Sequence, residues 1–482
     1  RKTLGSSKSG LVYQFLTEAT LLVFLSLLLA ISTANLVLPY FNDLAAKSMV
    51  LPYQSPVFYA SLLGFVLLLA LCAGAYPAFF ISSFTPVSVL KGFDQGKGKG
   101  GRIRNGLVIV QFTISVALIV GTLVVFQQLR FIQNKDVGFQ KEQILIVDDI
   151  DAAAQQTGVL KQRVTQLGQV KQVALSSYLP TPSARSSGTF FPEGSVIQSE
   201  NALIVGKWKV DYDYVALLDL EIIAGRSFDP QHLTDSTALL LNESAVTMLG
   251  VSPEEAIGMR LTDDFRRPDK ENMQYATIIG VVKNFHFVSL RNDINALTLA
   301  IGKSANKMIV KIKAGDFSET IGQVEKIWQQ IAPGQPFHHY FLDDSFQATY
   351  EAEQRLGRIF IIFTLLSILI ACLGLFGLAA YNAEKRTKEV GIRKVLGASI
   401  GQITYTLSID FLKLVGIAIL FALPLSWYAM NKWLEDFSYR IDIPWWIFAL
   451  AAFLAIVVSI LTVSSQSIKA AVVNPIKSLR AE

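Results

Sequence analysis

The sequence predicts a membrane-embedded α-helical protein that carries one extracytoplasmic α+β domain. Three observations lead to this fold class. The 482 residues are 51% hydrophobic and only 17% charged, whereas soluble domains carry about 25% charged residues. Six stretches each supply the roughly 20 apolar residues that cross a bilayer. The long segment 127–357, between the third and fourth stretches, has the mixed polar and apolar composition of a soluble domain.

The six apolar stretches are the predicted transmembrane helices. They lie at 16–39, 57–81, 107–126, 359–381, 407–430 and 445–463. The alternative, buried core helices of a soluble protein, is disfavoured because several of the six contain no charged residue and each can cross about 30 Å of hydrocarbon. The two cysteines, Cys72 and Cys372, lie inside such stretches and are interpreted as small buried apolar side chains.

The distribution of lysine and arginine predicts the orientation. The segments 1–14, 82–106, 382–405 and 464–482, on one side of the spans, hold 16 basic residues, and the two short connections on the other side hold three. Short loops rich in lysine and arginine face the cytoplasm. The prediction is a multi-pass inner-membrane protein with both ends of this chain cytoplasmic and residues 127–357 periplasmic.

Residues 127–357, called here the outside domain, mix strand and helix patterns. Strands are predicted where β-branched residues cluster or polarity alternates, and helices where apolar residues recur every three to four positions. The predicted elements are strands at 144–147, 277–282 and 310–313 and helices at 243–249, 253–259 and 317–331. The Ser, Gly and Pro content of 181–206 predicts a mobile loop. Interleaved strands and helices indicate an α+β domain.

Two short sequences occur twice, in the same order. RKTLGSS at 1–7 matches RKVLGAS at 393–399 in five of seven positions, at an offset of 392. PVSVLK at 86–91 is similar to PIKSLR at 475–480, at an offset of 389. Each pair flanks two spans, so the chain is interpreted as the tail of one repeat followed by a second, complete repeat. The difference of three residues between the offsets is assigned to a loop.

The repeat divides the chain into five segments. Residues 1–91 are the C-terminal part of a first repeat with two spans, and 92–106 are a basic cytoplasmic linker. The second repeat comprises its first span at 107–126, the outside domain at 127–357 and three further spans at 358–482. We expect an intact protein with eight spans and two outside domains, whose first two spans and first outside domain would precede Arg1.

Several motifs in these segments resemble one known family. EVGIRKVLGA at 389–398, directly after a span, resembles the signature of FtsX-like ABC transporter permeases, the MacB superfamily. The outside domain resembles the MacB-like periplasmic core domain through GRSF at 225–228, LNESA at 241–245, IGVVKNFH at 279–286 and FLDD at 341–344. The stretch from 110 to 139 resembles the two-copy permeases typical of Bacteroidota. The resemblance covers essentially the whole chain.

The resemblance implies a permease subunit without ATPase activity of its own. In such permeases the basic loop after the second span of each copy forms a short coupling helix on a partner ATPase, whose ATP-driven dimerisation moves the spans and, through long helices, the outside domains. The residues assigned to this contact are Glu389, Gly391, Ile392, Arg393, Lys394, Leu396, Gly397 and Ala398 and, in the first copy, Arg1, Lys2, Leu4 and Gly5. ATP and Mg²⁺ would bind the ATPase dimer, with no cofactor bound directly by this chain. A periplasmic adaptor or an outer-membrane factor is implied as a further partner.

The residue types at 389–398 agree with such a contact. A helix seated on another protein needs small residues for close approach, which Gly391, Gly397 and Ala398 supply. Arg393 and Lys394 supply cations for an acidic partner. The alternative for the cations is anchoring at the membrane surface.

Other candidate sites are disfavoured. The glycine-rich segment 92–98 is one residue short of a phosphate-binding loop and lacks its Ser or Thr, so the ATPase must be another chain. Asp148, Asp149 and Asp151 lack the Gly and Glu of a calcium loop. No metal site is predicted at the histidines, and no catalytic motif occurs. The candidates considered were His286, His338 and His339.

Two acidic residues lie just inside predicted spans. Glu18 and Asp410 occupy equivalent positions at the offset of 392. Intramembrane acids are functional candidates in general, but at this depth a packing or anchoring role is favoured over a proton relay. Lys413, one turn from Asp410, is the expected partner. Ser367, Ala371 and Gly374 form a small-residue strip that is interpreted as helix packing, and Gln111 is expected to hydrogen-bond to a neighbouring helix.

The sequence therefore favours a membrane permease subunit that couples ATP hydrolysis by a separate ATPase to movement of a periplasmic domain. Its role would be efflux or handling of peptides, lipoproteins or antimicrobial compounds. The alternative is an FtsX-like regulator that activates a periplasmic cell-wall hydrolase without transport. The outside domain has 22 basic and 28 acidic residues, and the basic residues lie where topology and docking require them, which argues against nucleic-acid binding.

Overall fold

A computed structural model describes residues 8–83, 99–181, 185–264, 273–302, 306–315 and 317–472. Its helices are α1 (Lys8–Ala45), α2 (Pro56–Ser83), α3 (Lys99–Asn134), α4 (Thr157–Thr165), α5 (Tyr214–Leu217), α6 (Glu243–Leu249), α7 (Pro253–Ala256), α8 (Phe317–Ile331), α9 (Leu342–Ala348), α10 (Glu351–Lys385), α11 (Thr387–Val395), α12 (Ile400–Leu434) and α13 (Trp445–Val472). Its strands are β1 (Ile144–Val147), β2 (Val170–Ser176), β3 (Ser187–Pro192), β4 (Leu203–Val210), β5 (Ile222–Gly225), β6 (Ala238–Asn242), β7 (Arg260–Thr262), β8 (Ala276–Val282), β9 (Leu297–Ile301), β10 (Lys307–Ile312) and β11 (His339–Phe341).

The chain divides into two compact units. The helical unit takes its residues from Arg1–Val125, Arg355–Ala429 and Ile443–Glu482. The sheet unit takes its residues from Phe126–Gln354 and Met430–Asp442. The outside domain predicted from the sequence thus gains one short segment, 430–442, from the far end of the chain.

Six helices among the described residues are long and apolar enough to cross a membrane, namely α1, α2, α3, α10, α12 and α13. All six predicted spans are therefore confirmed, and with them the predicted fold class. The third span begins earlier than expected, because α3 starts at Lys99 and includes residues assigned to the linker 92–106. Arg104 explains part of this extension. Its guanidinium lies 5.2 Å from the ring centroid of Tyr381 on α10, so packing holds this turn in the helix.

The helix boundaries of the two hairpins agree. The hairpins α1–α2 and α12–α13 have connections of equal length, 46–55 and 435–444, and α2 begins 389 residues before α13. The first-copy sequences 1–7 and 86–91 lie outside the described residues, so the repeat and the loop that absorbs the three-residue difference stay predictions.

A polar seam joins α3 to α10 inside the helical unit. The Ser115 and Ser367 hydroxyls lie 2.7 Å apart, and those of Thr122 and Thr364 lie 2.8 Å apart. An added Cβ on Gly374 would lie 2.9 Å from Gln111 Oε1, so a larger residue would displace this side chain. The small-residue strip on α10 is thus confirmed as a packing surface, and Gln111 lies against it.

The sheet unit contains an 11-stranded sheet in the order β11–β1–β10–β2–β4–β3–β7–β8–β6–β9, with β5 paired to β8. Because β9 also pairs with β4, the six strands from β4 to β9 in this order close into a ring. The strands β11, β1, β10 and β2 form a layer covered by α4 and α8 through a shared apolar cluster that includes Leu160, Val324 and Trp328. This arrangement gives the domain more than one core.

The short elements predicted from the sequence are largely confirmed. The predicted strands correspond to β1, β8 and β10, and the helices at 243–249 and 317–331 correspond to α6 and α8. The predicted helix 253–259 ends earlier, at Ala256. The mobile loop predicted at 181–206 is wrong, because β3 and the start of β4 lie in it. Phe190 and Phe191 are buried there, and this apolar burial outweighs the loop-like composition around them.

Motif residues of the outside domain hold its ring of strands together. Gly225 has φ of +72°, and an added Cβ would lie 2.3 Å from the carbonyl oxygen of Ile279. An added Cβ on Gly280 would lie 2.3 Å from the carbonyl oxygen of Arg226. The Arg226 guanidinium in turn donates two hydrogen bonds, of 2.6 and 2.8 Å, to the buried Asp235 carboxylate. These motif residues therefore have structural roles.

Candidate coupling site

The short helix α11 stands between two long helices of the helical unit. Only Arg386 separates it from the end of α10, and residues 396–399 separate it from α12. Its C-terminus closes in a Schellman motif, in which the amides of Gly397 and Ala398 donate to the carbonyls of Lys394 (3.1 Å) and Arg393 (2.9 Å). Gly397 has φ of +91°, a conformation that glycine adopts without strain.

The next helix begins with a capping box. The Ser399 hydroxyl accepts from the Gln402 amide (3.2 Å), and the Ser399 amide donates to Gln402 Oε1 (3.0 Å). Gly397 and Ser399 thus fix the turn between α11 and α12. Both residue types recur in the first copy, as Gly5 and Ser7. Gly397 was predicted to allow close approach of a partner, but its backbone conformation is a sufficient reason for a glycine here.

One face of α11 packs against its own chain. Val390 is buried with Ile403 and Leu407 of α12 and contacts Ala398. Gly391 is buried beside it. Its lack of a side chain therefore serves packing within the chain, and a contact of Gly391 with an ATPase stays a prediction.

The opposite face of α11 is apolar and exposed. Ile392, Val395 and Leu396 are 52%, 65% and 80% exposed. Their spacing of three and four residues gives one stripe on the helix surface. Val395 was not among the residues predicted from the sequence, although the i, i+3, i+4 pattern at 392, 395 and 396 was a usable signal.

The charged residues near α11 form ion pairs within the chain. Arg393 pairs with Glu389 at 2.8 Å, one turn apart on α11. Arg386, immediately before α11, pairs with Asp410 of α12 at 3.1 Å, and Lys413 lies farther from Asp410, at 4.0 Å. The expected partner of Asp410 was Lys413, so Arg386 is an addition to the site. Because this pair ties the start of α11 to α12, it favours the anchoring role expected of Asp410.

The remaining predicted site residues lie on α11, on α1 or outside the described residues. Lys394 is half-buried on α11, and Glu18 is exposed on α1. Arg1, Lys2, Leu4 and Gly5 lie outside the described residues.

The acidic cluster and all three candidate histidines are in the sheet unit. Asp148 forms an ion pair with Lys307, and Asp149 lies 3.0 Å from the His338 ring. His339 stacks on Phe337 with 4.9 Å between ring centroids. Within the described residues, no group of three His, Cys, Asp or Glu side chains could hold a metal ion.

Comparisons with known proteins bear on both units. Residues 361–475 match the family model of the FtsX-like permease C-terminal domain, a range that contains all of α11 and α12. A comparison with the curated proteins finds no match. Among solved structures, the periplasmic region of MacB from Actinobacillus actinomycetemcomitans is similar at 13% identity, over 45% of this chain and 96% of that chain, with a TM-score of 0.32. The extracellular domain of the ABC-type transporter YknZ from Gram-positive bacteria is similar at 12% identity, over 45% and 93%, with a TM-score of 0.28.

Proposed function

Because residues 361–475 form an FtsX-like permease C-terminal domain, we propose that this chain is the transmembrane permease subunit of a MacB/FtsX-type ABC transporter. A separate ATPase hydrolyses ATP, and the resulting movement is passed to the sheet unit in the periplasm. The observation that carries the proposal is the exposed apolar stripe Ile392–Val395–Leu396 on α11. Contiguous exposed apolar residues mark a contact with a protein or with the membrane, and we assign this stripe to the ATPase.

The stripe changes how the contact with the ATPase is explained. The sequence favoured the cations Arg393 and Lys394 as the docking groups. Arg393 is already paired with Glu389, and exposed ion pairs contribute little binding energy. Apolar side chains that leave water contribute more, about 1.5–3 kcal/mol for each large residue fully buried. We therefore assign the affinity to the stripe and the orientation to the charges.

The fixed turns around α11 allow it to pass on movement. Three features hold α11 against α10 and α12. They are the single-residue junction at Arg386, the ion pair of Arg386 with Asp410 and the capped turn at 396–399. The polar seam then ties α10 to α3. Both α3 and α10 contribute their far ends, 126–134 and 351–354, to the sheet unit. A displacement of α11 by the ATPase would thus act on two helices that continue into that unit.

The remaining features of the proposal follow from the sequence. The protein is a multi-pass inner-membrane protein with the sheet unit periplasmic and α11 cytoplasmic, as the distribution of basic residues requires. ATP and Mg²⁺ bind the ATPase dimer. A periplasmic adaptor or outer-membrane factor is the further partner, and the substrates are peptides, lipoproteins or antimicrobial compounds.

Co-purification tests the proposal. The full chain is purified from its native membrane in mild detergent, and the bound ATPase is identified by its Walker A sequence and by vanadate-sensitive ATP hydrolysis. We expect the double variant Ile392→Glu with Leu396→Glu to reduce the bound ATPase at least tenfold, because two apolar contacts are replaced by charges. Leu233→Glu is the matched control, since Leu233 is 91% exposed on the sheet unit.

Two results would contradict the proposal. One is an unchanged yield of ATPase with the double variant, and the other is equal loss with the Leu233→Glu control. Recovery of a cell-wall hydrolase on the sheet unit, with no transport by the reconstituted complex, would instead favour the regulatory alternative.

A further inference from the structure

The connection between α12 and α13 is built into the sheet unit. Residues 435–442 of this connection, called here the latch loop, belong to the sheet unit together with the last turn of α12, whereas the rest of α12 and all of α13 belong to the helical unit. Phe437, in its middle, is only 1% exposed. A short connection between two membrane helices needs no such burial for its own folding, so its contacts require an explanation.

A buried glutamine of α3 binds the latch loop at two points. The Gln128 side chain is fully buried. Its Nε2 donates to the carbonyl oxygen of Tyr439 at 2.9 Å, and its Oε1 accepts from the amide of Ile441 at 3.0 Å. Both ends of the amide are therefore used on the backbone of one loop. Without these partners the buried donor and acceptor would be unsatisfied, which would destabilise the folded protein.

The other side of the latch loop pairs with the segment 290–291. The amides of Ser438 and Tyr439 donate to the carbonyls of Arg291 (3.0 Å) and Leu290 (3.2 Å). The Leu290 amide in turn donates to the Tyr350 hydroxyl at 3.0 Å, one residue before α10. A chain of hydrogen bonds thus connects the loop to the start of α10.

An arginine joins the same three elements. The Arg291 guanidinium lies 4.8 Å from the ring centroid of Phe437 and 2.6 Å from the carboxylate of Glu353, in the first turn of α10. Glu353 is buried, whereas the Arg291 side chain is 41% exposed, so the pair links a solvent-accessible guanidinium to a buried carboxylate. The loop, the segment 290–291 and α10 therefore meet at one side chain.

The ring of Tyr439 provides two further contacts of the latch loop. The Lys135 ammonium, just beyond α3, lies 4.8 Å from the Tyr439 ring centroid. The His286 ring meets the same tyrosine edge to face at 4.5 Å. Cation–π and edge-to-face contacts each add modest stability and fix orientation.

We propose that the latch loop is a further mechanical connection from the α12–α13 hairpin to the sheet unit and that it stays closed throughout the ATP cycle, with Gln128 and Arg291 as the positioning residues that hold it. The inference rests on the proposed function, because it assigns a path to the movement that the ATPase drives. In this path a displacement of α12 and α13 acts on the sheet unit at Leu290–Arg291, beside the ends of α3 and α10. The three connections then move the domain as one body.

Hydrogen–deuterium exchange of the intact permease–ATPase complex in nanodiscs tests the inference. The probes are the amides of Ser438, Tyr439 and Ile441, compared without nucleotide and after vanadate trapping. We expect all three to stay protected in both states of the wild type. Gln128→Leu keeps the volume and loses both hydrogen bonds, so we expect exchange at these amides to rise about tenfold or more. We also expect the nucleotide-dependent change of the sheet unit to shrink while the ATPase stays bound.

Matched variants keep the test decisive. Gln127→Leu changes the neighbouring glutamine of α3, which is only half-buried, and should leave the latch amides protected. Gln128→Glu keeps the acceptor for Ile441 and loses the donor to Tyr439, so we expect its latch amides to exchange at an intermediate rate. This variant replaces Gln128→Leu in the test if Gln128→Leu fails to fold. Protection of β8 in each variant reports that the sheet unit is folded.

Each outcome bears on one claim. Fast exchange of the latch amides in the trapped wild type would overturn the inference, because the loop would then open. Equal exchange in the Gln128→Leu and Gln127→Leu variants would overturn it as well. A wild-type chain that binds no ATPase would contradict the proposed function instead, since latch protection can be measured on the chain alone.

Discussion

The two hairpins α1–α2 and α12–α13 have equivalent boundaries and differently folded connections. In the first, Asn42 at the end of α1 closes the connection locally, with its Nδ2 donating to the Met49 carbonyl (2.8 Å) and its Oδ1 accepting from the Met49 amide (3.0 Å). Val50 is 81% exposed there. In the second, Gln128 of another helix performs the same two-point closure, and Phe437 of the loop is buried in the sheet unit.

The two connections differ in the residues that they offer for contacts. At the offset of 389, Ser48 and Val50 stand where the second copy has Phe437 and Tyr439. The two aromatic residues supply the surface that packs on Arg291, Lys135 and His286. The first connection is closed by its own helix, whereas the second is closed by a helix that continues into the sheet unit.

Truncating the aromatic residue of the latch loop should give the largest effect. We expect Phe437→Ala to reduce the stability of the latch region by about 3–5 kcal/mol, because a buried ring is replaced by a cavity. Val50→Ala, at an exposed position of the equivalent loop, should cost less than about 0.5 kcal/mol. Thermal unfolding and amide exchange of 437–441 measure the first change, and exchange of 49–53 measures the second. Equal effects at the two positions would show that the loops do not differ as described.

Acidification should give the second-largest effect and should destabilise the latch loop but not the first connection. Burial lowers the pKa of His286 to about 4, and the nearby Lys135 acts in the same direction. The folded latch region therefore holds the neutral imidazole, and the unfolded chain binds a proton first as the pH falls below about 6.5. The free energy of unfolding of the latch region is therefore highest above pH 6.5. It falls by up to about 1.4 kcal/mol per pH unit between pH 6.5 and pH 4.

Amide exchange of the latch loop at pH 7.5 and pH 5, corrected for intrinsic rates, measures this effect. We expect His286→Gln to flatten the dependence, and His338→Gln, at an exposed histidine beside Asp149, to leave it unchanged. The first connection, 46–55, contains no Asp, Glu or His and should not respond. An unchanged pH profile in His286→Gln would assign the effect to another group.

Removing the local closure of the first connection should give the smallest effect. We expect Asn42→Ala to cost about 0.5–1.5 kcal/mol, the net contribution of ordinary hydrogen bonds, and to raise exchange at the Met49 amide alone. Asn35→Ala, on the same helix and bonded to the Tyr53 side chain, is the control that should leave Met49 protected. A loss of protection in the latch loop would contradict the separate closure of the two connections.

Sequence reasoning predicted the features that depend on local pattern. The six spans follow from runs of apolar residues, and α8 follows from helical spacing that ends where the structure ends it. Local composition misled at 181–206, because β3 pairs with the start of β4 inside this segment. The burial of Phe190 also depends on distant residues of the same cluster, such as Leu261 and Ile278. The contact of Arg104 with Tyr381 of α10 likewise joins residues far apart in the sequence.

The candidate site was predicted in position and only partly in its chemistry. The repeated sequence located α11, but the same glycines could serve a partner or the backbone. The left-handed conformation of Gly397 and the burial of Gly391 favour the backbone and the core. The latch was beyond sequence reasoning, because Gln128 and Tyr439 are 311 residues apart and no local pattern connects them.

Site-specific photo-crosslinking tests most directly that α11 is seated on an ATPase. A benzophenone residue is introduced at position 396 of the full chain, where the native leucine is 80% exposed, and at position 233 as a control that is 91% exposed on the sheet unit. Illumination in native membranes should join position 396, and not position 233, to a protein with a Walker A sequence. An intact complex that gives no such product at position 396, or gives it equally at position 233, would contradict the account.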